Sequence, residues 1–222
     1  MSQVDLITLT DPRSPVSEAY RTLRTNLEFL SLDHPLHSLL VTSPAVSSGK
    51  STTLANLAVI MAEGGRKVIL ADGDLRRPAL HEIFGVDNDV GLSDLIRSDS
   101  ELETAALPLR ESGVDGLRLL CSGQLPQNPS VLLGSGRMSQ VVAALTAQAD
   151  LVLFDAPPVI AVTDAALLAA QMDGTLLVIR AGSTQRQQVQ RAKALLEKVN
   201  AHLVGAVLSN ASLDSGVSSY YK

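Results

Sequence analysis

Six short apolar runs punctuate the chain, at 38–42, 67–71, 117–121, 151–154, 174–179 and 203–208. They are nearly continuous in Leu, Val, Ile and Ala rather than alternating with polar residues. That is the pattern of strands buried on both faces, as in a parallel sheet. Between them, segments 52–62, 139–147 and 185–199 have helical character. Strands alternating with helices predict βαβ units, hence an α/β fold whose mostly parallel sheet carries helices on both faces. No internal repeat, low-complexity tract or linker divides the pattern. Gly, Pro and Ser scatter most densely over 85–130, where insertions and mobile loops are expected.

Ahead of the first run, 16–30 predicts an amphipathic helix. Ser14 is placed to cap it and Pro15 to sit in its first turn. Ala19, Leu23, Leu27 and Leu30 recur at helical spacing and are expected to face the body of the protein. Glu18, Arg21 and Arg24 step three residues at a time along another face. The chain thus divides into an N-terminal segment, 1–37, carrying this helix, a core at 38–209, and a polar tail at 210–222 expected to be mobile in isolation.

Composition narrows the class. A length of 222 residues suffices for one substantial core. Aromatics are only 3% against 45% hydrophobic residues overall, so that core must be aliphatic. The net charge of −5 argues against a nucleic-acid partner. One cysteine, Cys121, cannot form an internal disulfide and fits a reducing cytoplasm. The N-terminus lacks the basic and apolar regions of a signal peptide. No apolar run approaches the ~20 residues of a membrane helix, so service at a membrane is expected to run through a partner, without direct insertion. The four histidines lack paired metal-ligand spacing and are read as surface or structural residues.

Candidate chemistry begins where the first strand ends, at Thr42-Ser43-Pro44-Ala45-Val46-Ser47-Ser48-Gly49-Lys50-Ser51-Thr52. A strand, a tight loop and a helix opening at Gly-Lys-Ser form a phosphate-binding arrangement. Loop and helix N–H groups converge on phosphate oxygens, a lysine reaches the β/γ-phosphates and a hydroxyl ligates Mg²⁺. Pro44 stands where the general pattern has its first glycine. Ser47 stands where many such loops have another, and serine lacks glycine's freedom at φ > 0, so lower nucleotide affinity is expected.

Two further motifs close apolar strands. Asp72-Gly73-Asp74-Leu75-Arg76-Arg77-Pro78 places two carboxylates at a strand's C-terminal end, the edge where open α/β sheets bind ligands. Such an acid orders water around Mg²⁺ or accepts a hydroxyl proton. Read alone, Asp-Gly also suits a simple turn. Asp155-Ala156-Pro157-Pro158 ends the fourth run in the Walker B manner.

Together these motifs resemble the bacterial tyrosine kinases (BY-kinases), autokinases of capsular and exopolysaccharide biosynthesis, over nearly the whole chain. Glu18, Arg21 and Arg24 match the family's ExxRxxR helix, Lys50 its Walker A loop, Asp72, Asp74, Arg76 and Pro78 its Walker A′ motif, and Asp155, Pro157 and Pro158 its Walker B. Residues 162–165 resemble the segment that follows. The resemblance implies a P-loop NTPase fold of the partitioning-ATPase-like group, with ATP and Mg²⁺ as cofactors. Ser47, Ser48, Gly49, Lys50, Ser51, Thr52 and Asn210 would bind nucleotide. Ser51, Asp74 and Asp155 would support Mg²⁺. Asp72 is the candidate base, with Lys50, Asp74 and Asp155 completing the catalytic set. The resemblance also implies a ring-like homo-oligomer built through Glu18, Arg21 and Arg24. Its tail tyrosines, here Tyr220 and Tyr221, would be phosphorylated in trans. The expected activator is a membrane polysaccharide co-polymerase, which would hold the protein at the inner face of the membrane. The family loop usually reads Pro-Gly-Glu-Gly-Lys-Ser and its tail is richer in tyrosine. A nucleotide-binding adaptor of weak activity therefore stays open, as do a partitioning-type ATPase and a P-loop kinase of small solutes.

Overall fold

The computed structural model describes residues 5–33, 35–98, 102 and 107–211. Among the described residues the helices α1 (Ile7–Thr10) and α2 (Pro15–Asp33) precede the sheet. Ser14 caps α2 as its position suggests, its Oγ accepting the Ser17 N–H at 3.1 Å. After β1 (Ser38–Thr42) come α3 (Lys50–Glu63), β2 (Val68–Asp72), α4 (Leu80–Phe84), α5 (Leu92–Arg97), β3 (Arg110–Glu111) and β4 (Leu117–Leu120). Then follow α6 (Pro129–Leu133), α7 (Gly136–Thr146), β5 (Leu151–Asp155), α8 (Asp164–Ala169), β6 (Gly174–Arg180), α9 (Arg186–Glu197) and β7 (Leu203–Ser209).

Among the described residues seven strands run in the order β3-β4-β2-β5-β1-β6-β7. All pairs are parallel except β3 against β4. Successive residues of β1 serve opposite cores. Leu40 joins Val152 and Phe154 under Val141, Leu145, Leu168 and Leu196. Leu39 and Val41 join Leu70 and Leu153 under Leu27, Leu54 and Leu57. Every residue of β1, β2 and β5 is buried. This double-sided burial is why their sequences are continuous rather than alternating. The chain leaves β1 through α3 and re-enters at β2, with β5 between them, so the C-terminal ends of β1, β5 and β2 frame one crevice.

The N-terminal helices are tied to α3. Asn56 Oδ1 accepts the Thr8 N–H at 3.1 Å and the Thr8 hydroxyl at 2.9 Å. Arg24 Nη1 donates to the Ile60 carbonyl at 3.1 Å, near the end of α3. Gly64 leaves the room for this, since a Cβ there would lie 2.8 Å from Arg24 Nη1. Arg24→Ala is expected to lower stability by about 1–2 kcal/mol through loss of this charged hydrogen bond. Urea unfolding monitored by circular dichroism measures it.

The apolar stripe of α2 departs from its expectation. Leu27 is buried and Leu23 half-buried, but Ala19 and Leu30 are exposed. The helix rests on α3 along the Leu23–Leu27 stretch, and its C-terminal turns overhang, leaving Phe29 and Leu32 exposed too. The 85–130 stretch also corrects the expectation of loops. Leu92, Leu95, Ile96, Leu119 and Leu120 are buried in it, and Asp94 caps α5 by accepting the Gly91 N–H at 2.9 Å. Residues 99–101 and 103–106 lie outside the described residues. Among the described residues no helix is long and apolar enough to cross a membrane.

Candidate functional site

The loop after β1 turns twice through left-handed backbone, at Ser47 (φ 57°) and Gly49 (φ 79°). Glycine takes that conformation freely and serine does not. The helix α3 opens directly at Lys50. Ser48 is buried, and its hydroxyl has no hydrogen-bond partner within the protein. A buried polar atom without a partner is costly, so its place in this loop suits a polar ligand.

Lys50 folds back across the strand ends. Its Nζ lies 3.0 Å from Asp155 Oδ1, 3.1 Å from Asp155 Oδ2 and 3.1 Å from Asp74 Oδ2. The Ser51 hydroxyl donates to Asp155 Oδ2. Asp155 closes β5 in register with Asp72, which closes β2. Gly73 lets these strand ends approach, since its N–H donates to the Asp155 carbonyl at 2.9 Å and a Cβ would come within 2.7 Å of that oxygen.

Asp72 is fully buried and held by backbone. Its Oδ2 accepts the N–H groups of Ala79 and Leu80 at 2.9 and 3.0 Å, at the start of α4. Its Oδ1 accepts the Asp74 N–H at 3.2 Å. Burial and the neighbouring Asp155 nevertheless push its pKa up to about 7. Burial also raises Asp155, against the pull of Lys50 and Ser51. For Lys50, burial works downward, but Asp155 and Asp74 prevail and hold the ammonium protonated. A lysine, a hydroxyl and three carboxylates thus converge at the ends of β1, β2 and β5. Such a set can neutralise phosphate charge, support a cation and move a proton.

The donor set suits Mg²⁺ held jointly with phosphate. Among the described residues no group of three His, Cys, Asp or Glu side chains is arranged so that it could hold a metal ion by itself. Ser51, Asp74 and Asp155 would therefore share the ion with phosphate oxygens and water, the usual arrangement for this cation.

The remaining site residues are placed as follows. Thr52 is exposed in the first turn of α3. Asn210 follows β7 with φ 55° and lines a groove of about 650 Å³ with Val16, Ala19, Tyr20 and Val207. Glu18 pairs with Arg21 on α2, whereas Arg24 turns inward to Ile60. Tyr220 and Tyr221 lie outside the described residues.

Sequence reasoning placed Arg76 and the 162–165 segment within the resemblance but gave them no site role, and it passed over Ser130, Arg180 and Ser209. Asp164, buried at the start of α8, receives Arg76 Nε at 2.7 Å and Arg76 Nη2 at 3.1 Å, and the Ser130 hydroxyl at 2.6 Å. Burial raises its pKa, but Arg76 and Ser130 outweigh that and lower it. This pair anchors the loop whose Arg77 N–H holds Asp74 Oδ1 at 3.0 Å. Arg180 and Ser209, at the ends of β6 and β7, hold the back of the phosphate loop. Nothing in their local sequence signals it, because the contacts span more than a hundred residues.

A mostly parallel sheet, a Gly-Lys-Ser loop after β1 and buried acids closing β2 and β5 define a P-loop NTPase. The ParA family model, described as NUBPL iron-transfer P-loop NTPase, matches residues 36–215. The chain is similar to Tyrosine-protein kinase YwqD of Bacillus subtilis (strain 168), 42% identical over 211 residues, covering 95% of this chain and 88% of that protein. It is similar in structure to the chimerical protein CapA2B2 (TM-score 0.86, 35% identity, 95% of this chain and 92% of that one). The kinase domain of Escherichia coli tyrosine kinase ETK is a further neighbour (TM-score 0.86, 32% identity, 96% and 84%). The chain belongs to the bacterial tyrosine kinase family.

Proposed function

We propose that the chain is an ATP-dependent protein-tyrosine autokinase that serves capsular or exopolysaccharide production beside a membrane co-polymerase. The observation that carries this reading is a buried carboxyl, Asp72, closing β2 in register with Asp155 and sharing one crevice with Lys50, Ser51 and Asp74. Bound Mg-ATP supplies the electrophilic phosphoryl group and the charge that offsets its oxygens. Lys50 balances anionic charge and Ser51 with Asp155 supports the cation. Asp74 turns its Oδ2 to Lys50 in the same crevice, while the Arg77 N–H holds Oδ1. Asp72 takes the phenolic proton of the incoming tyrosine.

The acceptors would be Tyr220 or Tyr221 of a neighbouring copy. On α2, the half-exposed Glu18–Arg21 pair would face that copy, while Arg24 secures the helix to its own body. The division at 37 and 209 fits these roles: helix for assembly, core for chemistry, tail for acceptance. The exposed overhang of α2, with Phe29 and Leu32, is available for contact with another chain.

The test is incubation of the full chain with Mg-ATP, with and without the cytoplasmic segment of its co-polymerase, followed by phosphosite mapping by mass spectrometry. Phosphate on Tyr220 or Tyr221 is expected. Phosphotyrosine absent under both conditions would sink the kinase reading, and micromolar Mg-ADP binding alongside that absence would leave a nucleotide-binding adaptor.

A further inference from the structure

The phosphate loop contains a serine, Ser47, in left-handed backbone where glycine would be unstrained. The two peptide units that follow it are clamped from behind. Arg180 Nη1, from the end of β6, donates to the Ser47 carbonyl at 2.9 Å. The Ser209 hydroxyl, from the end of β7, donates to the Ser48 carbonyl at 2.6 Å. Ser209 sits close behind the loop, where a Cβ on Gly49 would lie 3.8 Å from its Oγ.

A trans peptide is planar, with its C=O and N–H pointing in opposite directions. Fixing the Ser47 carbonyl toward Arg180 therefore turns the Ser48 N–H away from β6. Fixing the Ser48 carbonyl toward Ser209 likewise turns the Gly49 N–H away from β7. Left-handed residues at alternate positions, 47 and 49, bring successive N–H groups to one side, the geometry of an anion-binding concavity. The clamps thus hold the shape that a glycine at position 47 would reach without strain.

We infer that Arg180 and Ser209 are positioning residues for nucleotide binding, holding the Ser47 and Ser48 carbonyls so that a loop with serine at position 47 presents its N–H groups to phosphate. This rests on the nucleotide-binding reading above. Each residue acts through a backbone carbonyl, and Arg180 is exposed at a strand end, so its replacement leaves the core intact.

The test is calorimetric titration of the full chain with Mg-ADP, for wild type, Arg180→Ala, Ser209→Ala, Ser47→Gly and the double variant Arg180→Ala with Ser47→Gly. Each alanine variant is expected to raise Kd about tenfold, the scale of one lost hydrogen bond, with an unchanged melting midpoint. In the Ser47→Gly background the Arg180→Ala penalty is expected to shrink to about threefold or less, because glycine no longer needs the clamp. A merely structural arginine would not show that coupling. Equal penalties in both backgrounds overturn the inference, as do alanine variants that bind like wild type. Absence of Mg-ADP binding by wild type overturns the nucleotide reading itself, and this inference with it.

Discussion

Lys50→Met is expected to reduce tyrosine phosphorylation by about a thousandfold, the scale of removing one preorganised charge from a transition state. The geometry explains why one side chain carries so much. Lys50 is the cation between Asp155 and Asp74, contacting both within 3.1 Å. Without it, two buried carboxylates face the phosphate unopposed, and repulsion replaces attraction at the point where charge develops. Asp155 also loses the partner that restrains its upward pKa, so its carboxyl protonates more readily and supports Mg²⁺ less well. Quantitative phosphopeptide mass spectrometry gives the rate, and calorimetry with Mg-ADP gives the binding. A variant that still phosphorylates at the wild-type rate would remove Lys50 from the site.

The fold was legible where burial is double-sided. The runs at 38–42 and 151–154 read as strands because β1 and β5 have no exposed face. Short elements escaped for a corresponding reason. β3 is two residues of an edge strand, and α5 and α6 are six and five residues long, so neither offers a period to read. Their order comes from caps and long-range contacts, such as Asn88 Oδ1 accepting the Gly123 N–H at 2.9 Å. The stripe on α2 was read one turn too long at each end, because periodicity tells which face is apolar but not how far the neighbouring helix extends.

Site legibility follows the same division. Asp72, Asp74 and Asp155 could be found because each sits within two residues of an apolar strand's end, and Lys50 because its loop has a known spacing. The electrostatic coupling between them could not be read, since it depends on β5 lying between β1 and β2. The clamps Arg180 and Ser209, and the Arg76–Asp164 pair, join segments 88 to 161 residues apart. Chain pattern carries no signal at that distance, and only the assembled sheet brings their partners together.

Asp72→Asn tests the role that geometry assigns most sharply. If Asp72 accepts the phenolic proton, kcat/KM rises with pH through about 7, the value to which burial and Asp155 lift its carboxyl. Asparagine cannot accept that proton, so the variant is expected to lose about 10²–10⁴ in rate and the limb near 7 together. The same shift has a second, independent signature in stability. The folded chain holds a proton on Asp72 between 3.8 and about 7, while the unfolded chain has released it. Stability from this group is therefore fully present below the unfolded value and is lost as pH rises through the folded one. Asparagine is uncharged throughout and keeps an acceptor for Ala79 and Leu80. The wild-type melting midpoint should accordingly fall, relative to Asp72→Asn, as pH rises from the unfolded value of 3.8 to the folded value of about 7, and level off above it. A parallel pH dependence of the two midpoints would mean that Asp72 is ionised in the fold like an ordinary carboxylate. A slow variant that keeps the limb near 7 would move the base elsewhere in the crevice, with Asp155, the other buried carboxyl raised there, next to be tested.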